Sequence, residues 1–95
     1  MIRPMKRYVI ERDIPGIGSM NREQLKDAAL TSCDASAKLY GKIQWEHSYV
    51  AGDKTFCIYL ADGVASILEH AKLAGFPANK ITEARAVIDP MTAFS

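Results

Sequence analysis

Few residues of this chain could do chemistry. The strongest donors are two histidines, His47 and His70, and two cysteines, Cys33 and Cys57. Imidazole and thiolate suit nickel, copper or zinc better than magnesium or calcium. With carboxylates such as Glu11, Asp13, Glu46 and Glu69 they form a candidate donor set for a transition metal. No pair has the spacing of an HExxH or CxxC motif, so only the fold could bring them together. Glu69 and His70 are neighbours on a helix and point in different directions. His70 falls at the margin of that helix's apolar stripe and is expected to be accessible.

Nucleophilic chemistry has weaker support. Cys57 could form a thiolate pair with His47 or His70. It sits mid-strand between Phe56 and Ile58, where a cysteine reads as a small apolar filler, and no catalytic residue is assigned. Cys33, beside Ala29 and Ala37 in a helix interior, is expected to be a packing residue. The loop Gly16-Ile17-Gly18-Ser19 lacks the lysine and spacing of a phosphate loop and reads as a turn. Glu11, Arg12 and Asp13 leave the first strand beside that loop, either lining a cleft or forming a solvated strand end. Trp45, Tyr49 and Tyr59 read as core or interface aromatics.

The elements that position these groups are legible from pattern. Residues 7–12 read as a strand bounded by Pro4 and by Asp13-Ile14-Pro15-Gly16. Asn21, with Gln24 three residues on, is an N-cap for a helix over 22–40 that stops at Gly41. A hairpin over 43–60 turns at Ala51-Gly52-Asp53-Lys54. Asp62 caps a second helix, over 63–74, whose stripe is Val64, Ile67, Leu68, Ala71 and Ala74. A last strand is expected over 81–89.

The order β-α-β-β-α-β is the split βαβ, ferredoxin-like arrangement: an α+β sandwich with an antiparallel sheet and two helices on one face. Pairing Ser48 with Cys57 sets Trp45, His47 and Tyr49 opposite Leu60, Ile58 and Phe56. That face is expected to carry the helices, placing His47 toward them and Cys57 on the other side. The second face has nothing in the same chain to cover it. A homodimer closing it sheet to sheet, in the manner of a dimeric α+β barrel, is expected.

At 95 residues the chain is expected to be a single domain over 1–95, with its core at about 7–90. Its 48% hydrophobic and 24% charged residues fit an ordinary soluble protein. A net charge of +1 gives no footprint for nucleic acid, and the cluster Arg3, Lys6, Arg7 reads as a solvated arm. No apolar run is long enough to span a bilayer and no signal peptide is evident, so a cytoplasmic location and no membrane partner are expected. Both thiols are then expected to be reduced.

Three segments, YVIERDIPGIGSM, IQWEHSYVAGDKTFCIYLA and EHAKLAGFPANKITEARAVIDP, carry a resemblance over about residues 7–90. The chain resembles a family of small bacterial proteins of largely unassigned function, whose best-described type is a nickel-binding protein with a ferredoxin-like fold. The resemblance implies a dimer of ferredoxin-like subunits and a role in nickel sequestration or homeostasis, with no enzymatic activity established for the family. His47, His70 and Cys57 match the family's motif positions; together with Glu11 they are the candidate metal ligands. The expectation is therefore a non-enzymatic homodimer that binds a transition metal, nickel first. The alternative is a small-molecule-binding domain or cofactor-free enzyme of the dimeric α+β barrel type. Its pocket would lie between sheet and helices, with Glu11, His47, Cys57 and Tyr59 as its polar groups.

Overall fold

A computed structural model describes residues 4–95 of the chain; Arg3 of the basic cluster lies outside them. Strand β1 (Lys6–Asp13) leads through a short 3-10 turn, Ile17–Ser19, into helix α1 (Arg22–Ala37). Strands β2 (Ile43–Ala51) and β3 (Lys54–Ala61) form the hairpin. Helix α2 (Val64–Ala74) and strand β4 (Lys80–Ala84) follow, and a second 3-10 turn covers Pro90–Phe94. The four strands make one antiparallel sheet in the order β2-β3-β1-β4. Element order and strand order are compatible with a ferredoxin-like fold.

Local chemistry accounts for the boundaries. Asn21 accepts from the Gln24 backbone N–H while the Gln24 side chain accepts from the Asn21 N–H, a complete capping box. Helix α1 ends at Ala37, short of the expected Gly41, in a turn where Tyr40 and Gly41 both adopt positive φ. Helix α2 starts after Gly63, and Asp62 accepts a hydrogen bond from the Ser66 hydroxyl in its first turn. It closes at Gly75, in the left-handed conformation that glycine adopts without steric cost. Strand β4 is shorter than expected, because beyond Ala84 the chain leaves β1.

The sheet buries the face opposite to the one expected. The helix side carries Tyr8, Ile10 and Arg12 from β1 and Thr55, Cys57, Tyr59 and Ala61 from β3, all buried. Ile67 of α2, Leu39 and Ile43 complete the core. The open side carries Arg7, Val9 and Glu11 with Phe56, Ile58 and Leu60, none fully buried. Leu60, Ile58 and Phe56 outweigh their neighbours in apolar area within the hairpin. However, β1 votes the other way, since its apolar pair Tyr8 and Ile10 is in phase with Tyr59 and Cys57. One pleated sheet has one phase, so all strands must obey it.

A β-bulge between Trp45 and His47 adds a second correction. Ser48 does pair with Cys57, but Trp45 pairs with Tyr59 rather than Leu60. Glu46 is the extra residue, so the alternation slips by one there. Trp45 and Ser48 end on the helix side, His47 and Tyr49 on the open side. The Trp45 indole N–H donates to Ser48 Oγ at 2.9 Å across the bulge. The extra Glu46 accepts from Arg7 on the open face, Nε to Oε1 2.7 Å. Of the rest of the basic cluster, Lys6 lies 3.6 Å from Glu83.

Candidate functional site: a helix–sheet cleft with a buried arginine

Four residues were singled out as metal ligands, and the structure separates them. Cys57 is buried on the helix side of the sheet, where its thiol donates to Thr55 Oγ1 at 3.4 Å. His70 is buried in the core at 0% exposure, not accessible. The reason is a rotation of α2: its buried stripe is Ser66, Ile67, His70 and Ala71, while Val64 and Leu68 face outward. His47 is exposed on the open face, with its ring edge-on to Tyr49 at 5.1 Å. Glu11 shares that face but lies two strands away, beside Lys54. Two strand spacings alone separate their backbones by roughly 10 Å, and Phe56 and Ile58 stand between. Among the described residues no group of three or more His, Cys, Asp or Glu could hold a metal ion. Within one chain the donor set does not fit a resident metal centre. Cys33, expected to pack, is exposed on α1.

What the fold does assemble is a cleft of about 220 Å³ between α1 and the inner face of β2 and β3. Leu25, Ala28 and Ala29 of α1 form one wall. Trp45, Val50 and Tyr59 are among the sheet residues facing them, and Ile17 and Met20 enclose it from the loop before α1. The small residues on α1 leave the space open. Of the polar groups expected to serve a small-molecule pocket, Cys57 and Tyr59 line this cleft, whereas Glu11 and His47 do not.

At its edge lies Arg12, 1% exposed and the largest fully buried side chain. Its Nη1 donates to the Pro77 carbonyl at 2.8 Å, while Nη2 has no hydrogen-bond partner among the described residues. No carboxylate of the described residues bridges to it. The guanidinium rests between two rings, 5.9 Å from the centroid of Tyr59 and 5.8 Å from that of Phe76. Such contacts offset about 2 kcal/mol when desolvated, against a burial penalty of several kcal/mol for an unpaired ion. Arg12 therefore sits in the fold as a buried cation that the described residues compensate only in part. Its sequence signal is a charge in phase with Tyr8 and Ile10 on the buried side of an alternating strand.

A polar relay adjoins the cleft. Ser32 Oγ and Tyr59 OH are 2.8 Å apart, and the His70 Nε2–H donates to the Ser32 carbonyl at 3.1 Å. A carbonyl can only accept, which assigns the His70 proton to Nε2; Nδ1 is buried without a partner. The His70 ring also packs on Tyr59 at 5.1 Å. Burial pushes the Tyr59 hydroxyl above its ordinary pKa, partly offset by the Ser32 bond. Burial holds His70 below its ordinary value, against the pull of the Ser32 carbonyl, and the Arg12 charge pushes the same way as burial.

The His70 shift sets a pH dependence. The unfolded chain takes up a proton at the ordinary imidazole pKa of 6.5, above the folded one. Stability from neutral His70 is then fully present above that pH and declines as pH falls below it. Urea midpoints measured from pH 7 to pH 5 are expected to drop in the wild type and to drop less in His70→Gln. Equal slopes in the two proteins would remove His70 as the cause.

The fold and site together define a small α+β domain with an open sheet face and a cleft under its first helix. The chain belongs to the SCO4226-like family, described as nickel responsive protein SCO4226-like, whose model matches residues 8–84. The crystal structure of SCO4226 from Streptomyces coelicolor A3(2) superposes with a TM-score of 0.71 at 15% identity, covering 86% of this chain and 99% of that one. At that identity the match speaks for the fold. Comparison with curated proteins gives no match. No helix of the described residues is long and apolar enough to cross a membrane.

Proposed function

We propose that this protein binds a transition-metal ion, nickel before others, as a non-enzymatic cytoplasmic homodimer packed through its open sheet face. Membership of a family described as nickel responsive supports the metal. The observation that carries the geometry is the exposed imidazole of His47 on a half-apolar sheet face. Val9, Phe56, Ile58 and Leu60 form that face, and Val87, Ile88, Met91 and Phe94 in the segment after β4 are also exposed. That much unmatched apolar surface favours a second copy. Since the described residues of one chain offer no chelate, further ligands come from a partner, and Glu11 is a carboxylate on the same face. Buried His70 and Cys57 serve packing in this reading.

Metal binding is then coupled to self-association. Calorimetric titration of tag-free protein with nickel, with zinc and cobalt in parallel, is expected to show saturable, nickel-preferring binding at micromolar metal. His47→Ala should abolish it. Ile58→Glu should convert dimer to monomer in light scattering, keep the circular dichroism of the fold, and weaken nickel binding at least tenfold. Wild-type protein that stays monomeric, or binding that survives His47→Ala, would end this reading.

A second reading is favoured by the cleft: a small-molecule-binding domain whose pocket lies between sheet and helix, as in dimeric α+β barrels. Arg12, Ser32 and Tyr59 are its polar groups, and the metal plays no part in it.

A further inference from the structure

We propose that the cleft under α1 binds a small monoanion with an apolar body, a monocarboxylate received by Arg12. This inference rests on the cleft reading above and is independent of nickel. Three observations converge on it. Arg12 is 1% exposed, lacks an anionic partner among the described residues, and has a terminal nitrogen with no hydrogen bond. A guanidinium is a fork that matches a carboxylate, so an incoming carboxylate supplies the missing acceptor and the missing charge together. The Pro77 carbonyl and the rings of Tyr59 and Phe76 hold the group in place, so little of its entropy remains to be lost on binding.

The rest of the lining sets the class of ligand. Around Arg12 the walls are mainly apolar, with neutral hydroxyls from Ser32, Ser48, Thr55 and Tyr59. No second cation among the described residues lines the cleft. A dianion such as a phosphate monoester would bring a charge that nothing there balances, whereas a monocarboxylate is matched one to one. A volume of about 220 Å³ is below the roughly 300–1,000 Å³ of drug-sized pockets. The ligand is accordingly short, of the size of phenylacetate or a medium-chain acid. Its apolar body would lie against Leu25, Ala29 and Trp45.

The test is a pair of isosteres titrated into the full-length, metal-free protein: phenylacetate and the neutral phenylacetamide. Binding is followed by amide chemical shifts and by Trp45 fluorescence. Phenylacetate is expected to bind with shifts confined to the cleft, at least tenfold tighter than the amide. Arg12→Met should erase that preference. Because Arg12 is buried and that variant could unfold, Ala29→Leu provides a second arm: it fills the cleft from the helix side and should remove binding of both compounds while the fold persists. Equal affinity for acid and amide would overturn the anion assignment and leave the cleft reading standing. No cleft shifts with either compound at millimolar concentration would overturn both. Shifts scattered over the surface, or unchanged in Ala29→Leu, would show adventitious contact and overturn the site.

Discussion

Ile10→Ala is expected to destabilise the fold by about 2–5 kcal/mol, the range for truncating a fully buried aliphatic side chain. Ile10 is at 0% exposure, between Cys57 and Ile81 on the neighbouring strands and within the cluster that holds Ile67. Domains of this size have only about 5–15 kcal/mol of total stability. Each kcal/mol corresponds to roughly 4–8 °C in Tm. Urea denaturation should therefore show a large loss and thermal melts a fall of tens of degrees. The adjacent Val9 is the control. It is apolar and in the same strand, but it lies on the open face. Val9→Ala should cost less than about 1 kcal/mol in the monomer. If the open face is closed by a second copy, that cost should grow with protein concentration, while the Ile10 cost should not. Equal costs for the two at low concentration would contradict the assignment of the buried face.

The second large effect is backbone packing at Gly18. A Cβ built there lands on the carbonyl of Gly52 in the hairpin turn, well inside van der Waals contact. The obstacle is backbone on both sides, so no side chain can swing away. The same two loops are tied by the Ile14 N–H donating to the Asp53 carbonyl at 2.9 Å. Gly18→Ala is expected to cost about 1–3 kcal/mol, as overpacking does. It should also displace the loop that brings Ile17 and Met20 to the cleft, visible as amide shifts at both loops. At Gly63 a Cβ would meet nothing within 4 Å and φ is extended. Gly63→Ala should be close to neutral, and a Gly18→Ala protein equally stable would sink the packing account.

Much of the fold was legible because local signals agreed. The Asn21–Gln24 box, the Gly52-Asp53 turn and Gly75 mark boundaries that are chemical in origin, and they hold. The orientation of the sheet was not legible from the hairpin alone. There the larger apolar residues alternate onto the open side, and Tyr8 and Ile10 decide the phase. The rotation of α2 was missed because Val64 and Leu68 look like core residues and Ser66 and His70 do not. Ser66 donates to Asp62 and the His70 Nε2–H to the Ser32 carbonyl, so each is buried with a bond made, although His70 Nδ1 has no partner among the described residues. The cleft depends on small side chains of α1 facing a sheet across a gap, a distance no pattern encodes. Its arginine was in view at the end of β1, but its burial followed only once the phase was fixed.

The bulge at Glu46 matters for how relatives of this strand are to be aligned. One additional residue changes the address of everything after it: Trp45 and Ser48, three apart, share the cleft side, while His47 and Tyr49 go to the other. A strand carrying the same five letters in unbroken alternation would put its tryptophan and histidine on one side, whereas the bulge puts Trp45 and His47 on opposite sides. Matching WEHSY column by column can therefore equate a histidine on the exterior with one in the interior. Deleting Glu46 from this chain would restore unbroken alternation while leaving Trp45 opposite Tyr59 and His47 opposite Ile58, each on its present side.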